Sequence, residues 1–139
     1  AAQEIVQGMS DICDEVANGK IAGPYDAHDP FLEESQFSHN SLIDFQNNMR
    51  SVQNAYLGSV PDAGTSGRGL TAWVAGKAPA LDAQIKTEIT AAIAAIAAIP
   101  GPFSTAIVTE SSYPLVEAAQ AAILELQTTL DNELLPLLQ

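Results

Sequence analysis

Basic residues are scarce in this sequence. Five Lys and Arg stand against 17 Asp and Glu in 139 residues, which gives a formal net charge of −12. A surface of that sign repels phosphate backbones and anionic membrane surfaces. The composition therefore argues against a nucleic-acid partner. It leaves open whether the acids attract cations or basic proteins, or only keep the surface solvated.

Cysteine is nearly absent, with a single residue at position 13. One thiol cannot form an internal disulfide, so the count fits either a reducing compartment or a secreted helical protein without disulfides. Because Cys13 lies between Ile12 and Val16 on a predicted apolar helix face, we expect its thiol to be buried and inert rather than reactive.

Long hydrophobic runs are missing as well. The longest, AAIAAIAAIPGPF at 91–103, is rich in alanine and contains Pro100, and it is shorter than the roughly 18 apolar residues of a membrane span. We therefore predict no transmembrane segment. The sequence starts without an initiator Met or a basic and apolar leader, so we expect Ala1 to be a processed or trimmed end.

Apolar residues at helical spacing are abundant, and they define four long segments. The positions are Ile5, Met9, Ile12 and Val16 within 3–18; Leu42, Phe45, Met49, Val52 and Tyr56 within 39–57; Leu81, Ile85, Ile89, Ile93 or Ala92, Ile96 and Ile99 after Pro79; and Val116, Ala119, Ile123, Leu126, Leu130, Leu134 and Leu137 after Pro114. No alternating strand pattern competes with them.

Glycine and proline predict where these helices begin and end. We expect Gly19 to end the first helix, and Pro24 and Pro30 to keep residues 21–37 in a loop. Gly58 is a predicted left-handed C-cap, and Trp73 is expected to cover one end of the core. The prediction is one all-α domain over residues 1–139, an up-and-down four-helix bundle with a long ordered loop between helices 1 and 2.

The second helix has a polar face besides its apolar one. Asn40, Asp44, Asn47 or Asn48, and Ser51 recur every three to four residues, so they line up on one side. Asn, Ser and Asp are poor helix formers, each costing a few tenths of a kcal/mol inside a helix. Their concentration there indicates either satisfaction of buried backbone groups or contact with a ligand.

Residues 28–44 contain the side-chain types of a mixed nitrogen and oxygen metal site: His28, Glu33, Glu34, His39 and Asp44. Their spacing does not identify a metal. The zinc-peptidase pattern H-E-x-x-H is absent, as is G-x-S-x-G, and the glycines of 59–69 lack the GKS or GKT of a phosphate loop. No residue is predicted to be catalytic.

Three segments together resemble the carboxy-terminal half of the imelysin family, namely GMSDICDEVANGKIAGPY (8–25), EESQFSHNSLIDFQNNMRSVQNAYLG (33–58) and AAIAAIPGPF (94–103). The most specific part is the pattern E-S-x-F-S-x-N-S-x-x-D, present as Glu34, Ser35, Phe37, Ser38, Asn40, Ser41 and Asp44. Members of this family are bacterial extracytoplasmic proteins often linked to iron uptake and are named for an insulin-cleaving metallopeptidase. The G-x-H-x-x-E motif of their amino-terminal half is not reproduced by AHDPFLEE (27–34).

The resemblance implies a bundle that lies beside a second, similar bundle, with a site near their interface. Under this implication Glu34, Ser38, Asn40 and Asp44 would form a half-site for a metal, haem or peptide. His39, Glu34 and Asp44 are the candidate metal ligands, with iron or zinc as candidate metals. The partner would be another chain, an amino-terminal half or a second copy.

Three functional hypotheses follow from these observations. The first is a non-catalytic extracytoplasmic binding domain in iron or haem acquisition, located in the periplasm, at the outer membrane or outside the cell. The second is a metallopeptidase fragment that needs the G-x-H-x-x-E half for activity. The third is a structural bundle that assembles with itself or a partner, with the polar face fixing the register.

Overall fold

The structure, a computed structural model, describes residues 2–33, 39–58 and 69–139. Its α-helices are α1 (Ala2–Asp14), α2 (Ala22–Ala27), α3 (Ser41–Leu57), α4 (Leu70–Lys77), α5 (Pro79–Ala97), α6 (Phe103–Ala106), α7 (Tyr113–Thr129) and α8 (Leu135–Leu137). Two π-helical turns, Glu15–Ile21 and Leu130–Leu134, extend α1 and α7, and 3-10 turns lie at Pro30–Leu32 and Glu110–Ser112. The described ranges contain no strand.

The four long helices α1, α3, α5 and α7 form a closed ring around one core. α1 packs against α3 and α7, and α5 packs against the same two helices from the opposite side. α4 lies across α3 and α5. The predicted all-α four-helix bundle is thus confirmed for the part of the chain that the structure describes.

The predicted apolar faces of α3, α5 and α7 are the faces that the core buries. Phe45, Met49, Val52 and Tyr56 of α3 are at most 1% exposed. The buried positions of the later helices are Ile85, Ile89, Ala92, Ile96 and Ile99, and Val116, Ala119, Ile123, Leu126, Leu130 and Leu134. Pro79 occupies the first turn of α5, as predicted. A backbone N–H at this position would have no acceptor within the helix, so its absence costs no hydrogen bond.

The buried face of α1 is rotated from the predicted one. Val6, Met9 and Cys13 are the buried apolar residues of α1, whereas Ile5 is 45% exposed. Positions 6, 9, 13 and 16 follow the same helical spacing as 5, 9, 12 and 16, so periodicity alone could not distinguish the two faces. The burial of Cys13 itself is confirmed.

The predicted end of the first helix at Gly19 is wrong. Backbone angles remain right-handed helical at Asp14 and Ala22, on both sides of the π turn, and the helical backbone runs on to Ala27. Gln120 of α7 donates to the Ala17 carbonyl at 3.4 Å. This carbonyl of the π turn thus has a hydrogen-bond partner on another helix. The connection to α3 therefore starts at His28, whose φ of 49° ends α2.

Glycine has the predicted role at the end of α3. Gly58 has a φ of 72°, and its N–H bonds to the Asn54 carbonyl at 2.8 Å. The chain returns to this point at Gly69, where a Cβ would overlap the backbone of Leu57. Two glycines thus meet where the backbone needs a left-handed turn and a close approach.

Trp73 does not cover one end of the core, contrary to the prediction. It is 41% exposed, and Val74 beside it is the buried residue of α4. The indole lies under the Lys77 ammonium, 5.6 Å from the ring centroid, and lines an apolar groove of about 510 Å³ together with Ile5 and Leu138.

Among the described residues, no helix is both long and apolar enough to cross a membrane.

Candidate functional site

The predicted site residues that the structure describes, His39, Asn40 and Asp44, lie at the N-terminus of α3. Asn40 is the residue before the helix, and its carbonyl accepts the Asp44 N–H at 2.9 Å. Both Asn40 and Asp44 are exposed. The other two predicted binding residues, Glu34 and Ser38, lie outside the described residues.

The predicted metal ligands are only partly described. His39 is exposed and has a φ of 58°, in the left-handed region, and Asp44 is exposed one helical turn into α3. Within the described ranges, no three His, Cys, Asp or Glu side chains lie close enough to hold a metal ion. The set of His39, Glu34 and Asp44 therefore stays a prediction.

The polar side chains that the spacing places on one side of α3 are exposed or half-buried in the structure. Asn47 and Ser51 are exposed and Asn48 is half-buried. Ser51 donates its hydroxyl to the Asn47 carbonyl at 3.2 Å, and the Lys20 ammonium lies 3.4 Å from the Asn48 amide oxygen. Lys20 belongs to the first π turn, so this turn brings a cation to the polar face.

Two buried polar side chains flank residues 34–38. Glu33 is 4% exposed and neither carboxylate oxygen has a hydrogen-bond partner among the described residues; Ser41 is 1% exposed and its hydroxyl likewise has none there. Buried polar groups are normally hydrogen-bonded, so each such group needs an explanation. Sequence reasoning had included Glu33 among five candidates but had no signal to separate it from Glu34.

Large apolar side chains are exposed on the Pro30–Leu32 turn and on the first turn of α3. Phe31 and Leu32 of the 3-10 turn are 78% and 57% exposed, and Ile43 in the first turn of α3 is 57% exposed. Exposed apolar side chains of this size mark surfaces that contact a partner or ligand when they cluster. Exposed apolar side chains thus occur in the elements on both sides of 34–38.

His28, by contrast, is held in place by structural contacts. Its ring stacks on Tyr113 at a centroid distance of 4.9 Å, and Nδ1 lies 2.9 Å from the Ile107 carbonyl oxygen, so Nδ1–H is the donor. Tyr25 meets the ring edge-on and donates its hydroxyl to Glu117 at 2.9 Å. These contacts fix the end of α2 on α7, which is a packing role.

The Cys13 thiol is buried, as the sequence predicted. Burial, reinforced by the negative charge of Asp131, raises the pKa of Cys13 to about 12. The thiolate, which is the reactive form, is therefore scarce at neutral pH.

Comparison with known proteins gives consistent findings. The sequence profile of the Imelysin family matches residues 1–130. Iron-regulated protein A of Synechococcus elongatus is 35% identical over all 139 residues, which span 39% of that relative.

Two solved structures share the fold. An imelysin peptidase from Bacteroides ovatus is 34% identical with a TM-score of 0.84, and the match covers 97% of this chain and 39% of that protein. A protein provisionally described as an iron-regulated protein A precursor, from Parabacteroides distasonis, is 30% identical with a TM-score of 0.76, covering 88% of this chain and 36% of that one. The chain thus spans well under half the length of each of these relatives.

Proposed function

This chain belongs to the imelysin family, and on that basis we propose that it is a non-catalytic, extracytoplasmic binding domain in iron or haem acquisition. The names of two relatives, iron-regulated protein A and a precursor of such a protein, support the link to iron and to export. In this proposal the domain binds its ligand beside a second helical bundle.

The observation that carries the proposal is a pair of buried polar side chains, one on each side of 34–38, that lack hydrogen-bond partners among the described residues. Glu33 offers two carboxylate oxygens and Ser41 a hydroxyl, with no hydrogen bond among the described residues to satisfy them. Oxygen ligands of this kind suit hard cations such as ferric iron. Glu34 and Asp44 would act with them as acceptors, and Ser38 and Asn40 as hydrogen-bonding groups.

The partner bundle is supported by the exposed apolar side chains. Phe31, Leu32 and Ile43 would pack against it, and the ligand would lie between the two bundles. A site at such an interface is concave and largely apolar, with a few polar groups that orient the ligand. The share of the relatives that this chain spans leaves ample length for a second bundle in those proteins.

The test is a titration of the purified chain with ferric iron and, separately, with haem, followed by calorimetry or absorbance. Glu34→Gln and Asp44→Asn each remove one carboxylate charge and keep the side-chain shape. We expect each to weaken binding of the preferred ligand by about tenfold or more, the usual cost of losing a ligand or its support. Asp11→Asn, an exposed acid of α1, is the control of equal charge change.

The outcome separates specific from general electrostatic binding. If Asp11→Asn weakens binding as much as the two site variants, the ligand is attracted only by the net charge of −12. Unchanged affinity in both Glu34→Gln and Asp44→Asn would remove the half-site. Either result rejects the proposal.

A second candidate function is that of a metallopeptidase part, favoured by the description of the Bacteroides ovatus relative as an imelysin peptidase. Such activity needs at least three protein ligands around a catalytic zinc, and the described residues of this chain supply no such group. Chelator-sensitive cleavage of a protein substrate by the chain alone would favour this candidate over the first.

A further inference from the structure

A buried carboxyl group lies between α5 and α7, far along the chain from the candidate site. Glu88 of α5 is 8% exposed. Its Oε2 is 3.0 Å from the Thr129 hydroxyl at the end of α7, while Oε1 has no hydrogen-bond partner among the described residues. Gln84, one turn earlier, places its amide nitrogen 3.3 Å from both the Thr129 hydroxyl and a Glu133 carboxylate oxygen.

The hydrogen-bond inventory of Thr129 favours a protonated Glu88. A hydroxyl has one donor and two acceptor positions. The Thr129 hydroxyl also lies 3.2 Å from the Glu125 carbonyl. If Glu88 is ionised, its carboxylate and the Glu125 carbonyl compete for the single Thr129 proton. If Glu88 is protonated, it donates to the Thr129 hydroxyl. That hydroxyl then donates to the Glu125 carbonyl and accepts a second hydrogen bond from Gln84. Only the protonated form satisfies all three contacts.

Electrostatics act in the same direction. Burial raises the pKa of Glu88 above its ordinary value of 4.5; hydrogen bonds from Thr129 and Gln84 oppose this, and the charges of Glu125 and Glu133 add to it. Glu125 lies on α7 and Glu133 in the second π turn. The elements packed against this part of α5 therefore bring two further negative charges towards the carboxyl group.

Other charged residues lie on α5 and on the helices packed against it. α4 and α3 also pack on α5; Lys77 of α4 lies over Trp73, and Lys86 of α5 is paired with Asp82 at 3.1 Å. The charged residues of α3 are Asp44 and Arg50; the charges that act most strongly on the Glu88 carboxyl group are those of Glu125 and Glu133.

The second π turn connects this carboxyl group to a third helix. Asp131, in the same turn as Glu133, accepts a 2.6 Å hydrogen bond from Ser10 of α1. π-helical turns inside α-helices occur frequently at functional sites. A change at Glu88 can thus reach α1 through a short, continuous set of contacts.

We propose that Glu88 is protonated in the folded bundle. Its ionisation then weakens the packing between α5 and the Leu130–Leu134 turn, so this contact is sensitive to pH. A group whose pKa is raised in the folded state stabilises the fold fully below its unfolded pKa. This stabilisation is lost as the pH rises through the folded-state pKa. The bundle should therefore be more stable in mild acid than at neutral pH.

The test is thermal unfolding of the chain between about pH 5 and pH 8. Wild type should lose several degrees of Tm over this range, since about 1 kcal/mol shifts Tm by roughly 2–8 °C in domains of this size. Glu88→Gln mimics the protonated acid and should flatten the profile to less than half that loss. Glu4→Gln, at an exposed position of α1, removes an acid that is not among the groups named around Glu88 and should retain most of the loss of Tm.

A direct measurement keeps the proposal testable should Glu88→Gln fold poorly. The carboxyl carbon of Glu88 in the wild-type chain can be followed by NMR as a function of pH, together with amide hydrogen exchange in 130–138. We expect a midpoint above that of an ordinary glutamate, and lower protection from exchange, relative to the intrinsic rate at each pH, above this midpoint. A midpoint at or below the ordinary value, or a Glu88→Gln profile as steep as wild type, overturns the proposal.

Discussion

At the scale of single residues, one carboxylate ties three helices together. Asp82 of α5 is 7% exposed and accepts 2.6 Å hydrogen bonds from the hydroxyls of Tyr56 on α3 and Thr71 on α4. Lys86 completes the set with a 3.1 Å ion pair. A buried charge is tolerated when its polar atoms have partners; both carboxylate oxygens of Asp82 have one, whereas Oε1 of Glu88 has none among the described residues.

The two buried acids therefore respond to pH in opposite ways. Burial alone would raise the pKa of Asp82, but hydrogen bonds from Thr71 and Tyr56, together with Lys86, outweigh it and lower the pKa below 3.8. Stability from a lowered pKa is present above the unfolded-state value and is lost as the pH falls through the folded-state value. The stabilisation from Asp82 is thus lost as the pH falls below about 3.8, whereas that from Glu88 is lost as the pH rises above 4.5.

Asp82→Asn should destabilise the chain at neutral pH by about 2 kcal/mol, because hydrogen bonds to charged groups contribute about 1.5–3 kcal/mol each and the amide retains part of them. Urea unfolding followed by circular dichroism measures this difference. Glu4→Gln, an exposed acid in the first turn of α1, should change the free energy of unfolding by less than about 0.5 kcal/mol. Equal effects of the two substitutions would contradict the role of Asp82.

At the scale of elements, the ends of helices follow from backbone conformation more than from residue identity. Gly58 ends α3 in the left-handed region, while Gly19 lies inside a continuous helical stretch. Glycine permits a left-handed cap but does not require one. What differs is the surroundings: the Gly19 turn packs against α7, and that packing holds it in helical form.

Gly58→Ala and Gly8→Ala form a matched pair with opposite expected signs. Alanine at position 58 must adopt a φ near 72°, which should destabilise the chain by about 1 kcal/mol. Position 8 is an exposed site in α1 where an added Cβ meets nothing within 4 Å, so alanine there should stabilise by about 0.5–1 kcal/mol. Thermal unfolding of both variants is the measurement, and shifts of the same sign would contradict this interpretation.

At the scale of the whole molecule, the charge is the dominant feature. A net charge of −12 on 139 residues destabilises a compact state through self-repulsion. Salt reduces this repulsion because the Debye length falls from about 30 Å at 0.01 M to about 3 Å at 1 M.

We therefore expect the Tm to rise by a few degrees between about 0.01 M and 0.5 M sodium chloride. Repeating the titration near the isoelectric point of about 4.1, where the net charge vanishes, is the control and should show a much smaller rise. A Tm that falls with salt at neutral pH would mean that attractive ion pairs, not net repulsion, control the stability.

The polar face of α3 could be predicted because its residues lie in one continuous stretch, whereas the assignment of a binding site to it stays a prediction. The spacing of Asn40, Asp44 and Ser51 indicated a polar helix face, and these residues are exposed on α3. The burial of Glu33 and Ser41 could not be predicted, because their neighbours along the chain give no sign of which residues cover them. Glu88 and Asp82 were missed for the same reason: their partners are 41 and 26 residues away.

The sequence by itself determined the all-α class, the four long helices, and the buried faces of α3, α5 and α7, because helical periodicity and the special residues Pro79 and Gly58 act within a few positions of the chain. Only the tertiary structure decided which face α1 buries, that its helix continues through Gly19, and which acids are buried with or without partners. These properties depend on contacts between residues distant in sequence. The free energy of such contacts is set by what packs across the bundle, and no local pattern contains that information.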